Sequence, residues 1–346
     1  MCALSKSTQI VNHKSMSDIG QLTEFDIIAR YFADIDGAGH QPSVALGIGD
    51  DCAILSLAAN QQLAFSIDTL VSGRHFPDDA DPYQLGQRAL AVAVSDLAAM
   101  GAKPLAFTLA LTLPSVDSQW LDDFSRGLRL AAGQYKIPLI GGDTTQGPLT
   151  ITLQVHGSLC SQAVLKRSAA QPGDAIFVTG TVGDAAAALA VIEGRLVVDQ
   201  QQHEFLMQRF YQPTARIEVG QSLLGVANAA VDISDGLLAD LAHIATASKL
   251  AAMINVDQLP LSAVMKQVIA KPQALAYALK GGDDYELCFT VARDNITQIK
   301  TLAQRLSLPI TEVGIMAAGS GVSCVDDHGD DVVIDIAGYQ HFTQSE

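Results

Sequence analysis

The chain has 346 residues, more than one hydrophobic core usually serves, so two domains are expected. Apolar residues make up 49% and aromatic ones only 5%, which supplies cores of Ala, Leu, Val and Ile and excludes a largely disordered chain. With 37 acidic against 21 basic residues the formal charge is −16, which excludes nucleic acid and anionic membranes as partners, since both are bound by Lys and Arg displacing counterions. The same surface repels nucleotide phosphates unless divalent cations stand between. The five cysteines are far apart and form no CxxC, which suits free thiols in a reducing, cytoplasmic setting. No apolar run reaches about 18 residues, so no membrane span is expected.

Residues 1–22 lack an apolar signal-type core and read as a loose tail. Thr23 is placed to cap a helix over TEFDIIARYF, and the stretch from Ala33 to Val44 reads as loop. LAFSIDT is a short strand expected to carry Asp68 at its end. Leu85, Ala89, Val92, Ala93, Leu97 and Met100 recur at helical spacing and predict a helix from Pro82 to Met100. Lys103-Pro104 should end it before the apolar strand LAFTLALTL. A second helix is expected over Ser118 to Tyr135, followed by strand, glycine-rich turn and strand along IPLIGGDTTQGPLTITLQVHGSL.

The turn cluster Gln171-Pro172-Gly173-Asp174 places a domain boundary between about Val155 and Pro172. The expected division is therefore a tail (1–22), an N-terminal domain (23–160) and a C-terminal domain (161–346). The second half alternates in the same way: strand AIFVTG, then helices over Gly183 to Glu193, His203 to Phe210 and Ala215 to Asn228. VDISDG, a helix to Ser248, strand AAMINV and GGDDYELCFTV follow. This alternation predicts two layered α+β domains with helices on one sheet face.

Carboxylates recur beside glycines and at strand ends. Asp50 and Asp51 lie in GIGDDCAIL, Asp68 in SIDTL, Asp143 in IGGDTTQG, Asp232 and Asp235 in VDISDG, and Asp283, Asp284 and Glu286 in GGDDYE. Asp96 falls within the apolar stripe of its helix. The nearest bases in sequence are Arg88, Lys103 and Arg167. A buried, unpaired carboxylate costs on the order of several kcal/mol and is usually neutralised, paired or bound to metal. Mg²⁺ prefers hard oxygen ligands, often one or two carboxylates plus substrate phosphates, and glycines let backbone N–H groups approach phosphate oxygens. Singly, each such segment also reads as an ordinary turn, with Asp184 and Asp235 as helix caps. Walker A, GxGxxG and the protein-kinase motifs are absent. The residues alone leave open an ATP phosphotransferase, a synthetase activating an amide or formyl oxygen with ATP, and a metal- or nucleotide-binding sensor.

GIGDDCAIL, DTLVSGRHF, SDLAAMGAKP, IGGDTTQGPL, DISDGLLADLAHI and GGDDYELCFT occur in this order between Glu24 and Phe342. Together they resemble the thiamine-monophosphate kinase family, within the superfamily of aminoimidazole ribonucleotide synthetase. The resemblance implies two domains of the aminoimidazole ribonucleotide synthetase-like fold and a homodimer in which the N-terminal sheets pair. It implies transfer of the γ-phosphoryl of ATP to thiamine monophosphate, assisted by several Mg²⁺ ions and by no dedicated base. Carried residue by residue, it implies metal ligation by Asp51, Ser66, Ile67, Asp68, Asp96, Asp143, Asp232 and Asp235. Gly142, Asp143, Arg167 and Ser234 would then contact ATP, and His75, Asp283 and Tyr339 the thiamine substrate. Three positions depart from the family pattern. Ile67 replaces a Thr and leaves only a backbone carbonyl, Asp283 replaces a Glu and is shorter by a methylene, and Gln146 removes a positive charge.

Overall fold

A computed structural model describes residues 22–333 apart from 38, 40, 161 and 162. Tyr339 lies outside the described residues, as does nearly all of the expected tail. Thr23 caps α1 (Glu24–Ile27) through a capping box: its hydroxyl accepts the Asp26 N–H, while the Asp26 carboxylate accepts the Thr23 N–H at 3.0 Å. A π-helical turn, Ile28–Phe32, continues it and buries Tyr31 and Phe32. Strands β1 (Val44–Leu46) and β2 (Ile54–Leu55) form a small ribbon joined by the GIGDDCA segment.

Four strands build the first sheet: β3 (Gln61–Val71), β4 (Lys103–Leu113), β5 (Leu139–Gln146) and β6 (Thr150–Cys160), in the order β3-β6-β4-β5. Only β4 and β5 pair in parallel. Alternation along β6 sends Ile151, Leu153 and Val155 into the core, towards helices α2 (Pro82–Ala99) and α3 (Ser118–Tyr135), and leaves Thr152, Gln154 and His156 on an open face. The two helices approach closely because glycines face each other's backbone. A Cβ on Gly127 would lie 1.9 Å from the Tyr83 carbonyl oxygen, and one on Gly86 would lie 2.3 Å from that of Phe124.

Among the described residues the second sheet has six strands in the order β12-β9-β11-β7-β10-β8: β7 (Ala175–Thr179), β8 (Ala227–Asp232), β9 (Ala251–Asn255), β10 (Leu287–Val291), β11 (Ile310–Ala317) and β12 (Gly321–Val325). Between them run α4 (Asp184–Ile192), α5 (Gln200–Tyr211), α6 (Ile217–Ser222), α7 (Leu237–Ser248), α8 (Ala263–Val268), α9 (Lys271–Lys280) and α10 (Ile296–Leu306). Val178, Val231 and Cys288 pack with Leu237 and Leu241 of α7 on one face. On the other, Phe177 stacks on Phe289 with ring centroids 5.7 Å apart, beside Val219 of α6 and Ile299 of α10. Helices therefore cover both faces of this sheet, not one. A continuous core joins the two units, since Leu206 and Phe210 of α5 and Met265 of α8 pack with residues of α2 and α3. No described helix is long and apolar enough to cross a membrane.

Several local expectations change. Asp68 and Asp143 are not at strand ends: Asp68 pairs with Leu153 inside β3, and Asp143 pairs with Ala110 inside β5. Close pairing with β4 draws Gly141-Gly142-Asp143 into the ladder, and a Cβ on Gly142 would sit 1.9 Å from the Leu109 carbonyl oxygen. The α2 helix is ended by Gly101 (φ +69°), so Lys103-Pro104 belong to β4. The helix expected from Ala215 to Asn228 shrinks to α6, because Ala227 already pairs with Val291 in the second sheet. Glycines rather than aspartates occupy the caps of α4 and α7 (Gly183, φ +89°; Gly236, φ +113°).

Gly127→Ala is expected to destabilise the protein by roughly 1–3 kcal/mol through overpacking between α2 and α3, read as a lower midpoint in thermal or denaturant unfolding. An unchanged midpoint would show that the helices separate freely at this crossing.

Candidate active site

Three aspartates meet where β3, α2 and β8 come together. Asp68 projects from β3 to the α2 side of the sheet, as its pairing with buried Leu153 requires. Asp96 lies near the C-terminal end of α2 and accepts a short hydrogen bond from the Ser66 hydroxyl. Asp232 ends β8, is 4% exposed, and accepts a 2.7 Å hydrogen bond from the Ser95 hydroxyl. Burial raises the pKa of Asp68 to about 6, with the charge of Asp96 adding to it. Burial raises that of Asp232 to about 7, Asp96 adding most among its neighbours, while the Ser95 hydrogen bond opposes the shift. Among the described residues no Lys or Arg forms an ion pair with any of the three.

The turn leading into α7 adjoins this cluster. Asp240, in the first turn of α7, accepts the N–H groups of Ser234 at 3.0 Å and Asp235 at 3.1 Å. Burial pushes its pKa up to about 7; those bonds and the charge of Arg167 act against the shift. Arg167 is tied to the end of the same helix, its carbonyl accepting from the Ser248 hydroxyl at 2.9 Å. Ser66, Asp96 and Arg167 all line one cavity of about 950 Å³, with Met100, Lys166 and Ala247.

The GGDDYE loop lies on the same turn. Asp283 N–H donates to the Ser234 carbonyl at 2.9 Å and Tyr285 N–H to that of Ile233 at 2.8 Å. These bonds hold two non-glycine residues in the left-handed region, Asp283 at φ +69° and Tyr285 at φ +50°. Asp283 Oδ1 accepts from Arg88 Nη2 at 2.7 Å and from the Tyr285 hydroxyl at 3.0 Å. Burial, then the Asp283 charge, hold the Tyr285 phenol well above its ordinary pKa, so it stays a donor; Asp68 is close enough to add to the effect.

The other two acids of the motif are turned into the protein. Asp284 accepts the Gly183 N–H at 2.7 Å, and Glu286 accepts from Thr179, Arg209 and Arg216. His75 follows β3, half-buried, and its Nδ1 accepts the Val71 N–H at 3.0 Å. That bond selects the neutral tautomer with its proton on Nε2.

Asp51, Gly142 and Asp143 belong elsewhere. They line a second cavity, of about 940 Å³, with Phe25, Ile48 and Thr144. Strand register sets Asp143 level with Ala110, Thr152 and Thr69, on the open face, whereas Asp68 points to the helix face. Three strand spacings of about 4.8 Å, roughly 14 Å, further separate the two backbones. Ile67 is also on the open face and 61% exposed. Gln146 donates to the Pro114 carbonyl at 3.3 Å.

A single chain thus brings together Ser66, Asp68, Asp96, Asp232, the Ser234-Asp235 turn, Arg167 and Asp283. The sequence reading passed over Ser95, Asp240 and Tyr285. Asp240 carried a signal, as an acid in the first turn of a helix that follows an acidic strand end. Ser95 and Tyr285 carried none that distinguishes them from ordinary packing residues.

The clustered charge sets a pH dependence of stability. Because its folded pKa is raised, Asp232 costs nothing at acid pH, and its penalty grows above the unfolded value and is complete above about 7. Asp232→Asn is expected to raise the melting temperature of metal-free protein at pH 8, with the gain shrinking as pH falls towards 4. A gain independent of pH would contradict a charge origin.

Residues 49–159 match the family described as AIR synthase related protein, N-terminal domain, and residues 171–327 match the corresponding C-terminal domain. A thiamine-monophosphate kinase of Salmonella typhimurium is 50% identical over 321 residues, covering 92% of this chain and 98% of the relative. The crystal structure of thiamine-monophosphate kinase from Stenotrophomonas maltophilia superposes with a TM-score of 0.79 at 45% identity, covering 82% of this chain and 91% of that one. A structure described as AaThiL complexed with AMPPCP and TMP gives a TM-score of 0.73 at 31% identity, covering 83% and 89%. On these grounds the chain belongs to the AIR synthase related family and, within it, to the thiamine-monophosphate kinases.

Proposed function

We propose that this chain transfers the γ-phosphoryl group of ATP to the phosphate of thiamine monophosphate, forming thiamine diphosphate and ADP. The observation that carries this reading is the group of three adjoining carboxylates, without a matching base, beside Arg167 and the turn into α7. Relatives named for the reaction, and one solved with AMPPCP and TMP, support it.

The donor set suits Mg²⁺. Hard carboxylate oxygens crowd one another until burial and mutual repulsion raise two of their pKa values, which is the condition a divalent cation relieves. Among the described residues no group of three or more His, Cys, Asp or Glu side chains is arranged to hold a metal ion by itself, so a Mg²⁺ ion here would need phosphate oxygens as further ligands. Asp68, Asp96 and Asp232 would hold it, with Ser66 fixing Asp96. When bound, Mg²⁺ would neutralise charge between the two polyanions.

The protein's own groups then act by position. Arg167 adds a permanent positive charge on one wall of the cavity. The Ser234 and Asp235 N–H groups are already given to Asp240, so the Ser234 hydroxyl and the Asp235 carboxylate are what this turn offers a ligand. His75 would contact the thiamine substrate, and Asp283 offers a carboxylate to the cationic thiazolium or the aminopyrimidine. The acceptor phosphate is ionised at neutral pH and needs no general base.

A homodimer completes the arrangement in this reading. Edge strand β3 exposes Leu63 (43%), Phe65 (64%) and Ile67 (61%), a row that soluble proteins normally cover. A second copy whose β5 edge met β3 would bring its Gly142-Asp143 segment towards Asp68, which one chain holds on the opposite face. The division into 23–160 and 161–346 belongs to the same reading, supported by sheets that share no strand. Free thiols at Cys52, Cys160, Cys288 and Cys324 support a reducing, cytoplasmic setting.

Asp143→Asn is expected to lower turnover on the order of 100-fold or more, with the melting temperature within about 2 °C of wild type, because its exposed side chain makes no packing contact of consequence. Full turnover at limiting Mg²⁺ would remove Asp143 from the site. Phe65→Asp is expected to convert the dimer to monomer in light scattering and to reduce turnover with it. An active monomer would separate the site from the interface.

A further inference from the structure

Arg88 leads the largest completely buried side chains among the described residues, and it sits in the middle of the apolar stripe of α2. Burying a guanidinium is costly unless its charge and its donors are met. Here its plane lies 4.1 Å from the Phe210 ring centroid, Nη1 donates to the Phe210 carbonyl, and Nη2 donates to Asp283 Oδ1 at 2.7 Å. Nε has no partner. Burial opposes the charge, but Asp283 and Tyr285 outweigh it, so Arg88 remains a cation. One side chain therefore joins α2 of the first unit, the end of α5 and the GGDDYE loop.

Among the described residues the Asp283 side chain accepts both of its hydrogen bonds through the same atom. Arg88 and the Tyr285 hydroxyl both use Oδ1, while the side chain stays 33% exposed. Oδ2 is left for a ligand. Bonding from two sides restricts the rotation of a carboxylate carried on a backbone already held at φ +69°.

We propose that Arg88 is a positioning residue for the phosphoryl acceptor: it clamps Asp283 Oδ1 so that Oδ2 is presented at a fixed angle to the substrate's cationic ring. This rests on the reading that Asp283 contacts thiamine monophosphate. Asp283 is a methylene shorter than the Glu common at this position, so it has less reach with which to correct a misplaced approach, and the clamp carries correspondingly more of the alignment.

Steady-state kinetics against each substrate test this on Arg88→Lys, Asp283→Asn and the double variant, with melting temperatures taken alongside. Lysine keeps the charge but has no planar fork to reach Asp283 and the Phe210 carbonyl together. Arg88→Lys and Asp283→Asn are each expected to raise KM for thiamine monophosphate about tenfold and to leave KM for ATP within about twofold. The double variant is expected to be no worse than Asp283→Asn, since one residue acts through the other. Equal rises in both KM values, a lowered melting temperature with normal kinetics, or multiplied defects in the double variant would each overturn the role of Arg88. An Asp283→Asn enzyme with an unchanged acceptor KM would instead overturn the substrate placement itself, and the clamp with it.

Discussion

Like charges forced together out of water govern this protein's architecture. Asp68, Asp96 and Asp232 come from two different sheets and a helix, yet they end within each other's electrostatic reach. Serines 66 and 95 donate to two of them, and no lysine or arginine joins as an ion-pair partner among the described residues. A fold that only sought stability would replace such a group with apolar side chains of similar volume. In the function proposed above, the stability lost here is the cost of a cation and polyphosphate site, because the repulsion that weakens the fold would be relieved by a bound divalent cation.

Acids of the same local motif are put to different uses. Within GGDDYE, Glu286 is absorbed into a buried network with Thr179, Arg209 and Arg216, and Asp284 closes on the Gly183 N–H. Those bonds anchor the loop to the C-terminal core. Asp283 alone remains part-exposed, and its left-handed backbone is held by the Ser234 carbonyl on one side and Arg88 on the other. Anchoring and presentation are thus divided among adjacent residues of one loop.

Sheet geometry imposes the other constraint. Successive residues of a strand point to opposite faces, so Asp68 and Asp143 fall on opposite sides of one sheet as well as near opposite edges. Within one chain no side-chain rotation can unite them. The apolar edge of β3 and the separation of the two carboxylates are therefore features of the same sheet, both set by which face and which edge each strand presents.

The sequence by itself determined the helices α2 and α3, most strands, the α+β character and the roll of acidic segments, because periodicity and turn residues act over a few neighbours. Its motifs also identified the family. Tertiary structure alone decided that Gly141-Gly142-Asp143 is strand rather than turn, since only the approach of β4 makes that backbone extended. It decided too which aspartates meet, and that Arg88, a lone base in an apolar stripe, pairs with Asp283 195 residues away. Such pairings depend on how layers stack and which face a strand presents, and no short-range pattern encodes that choice.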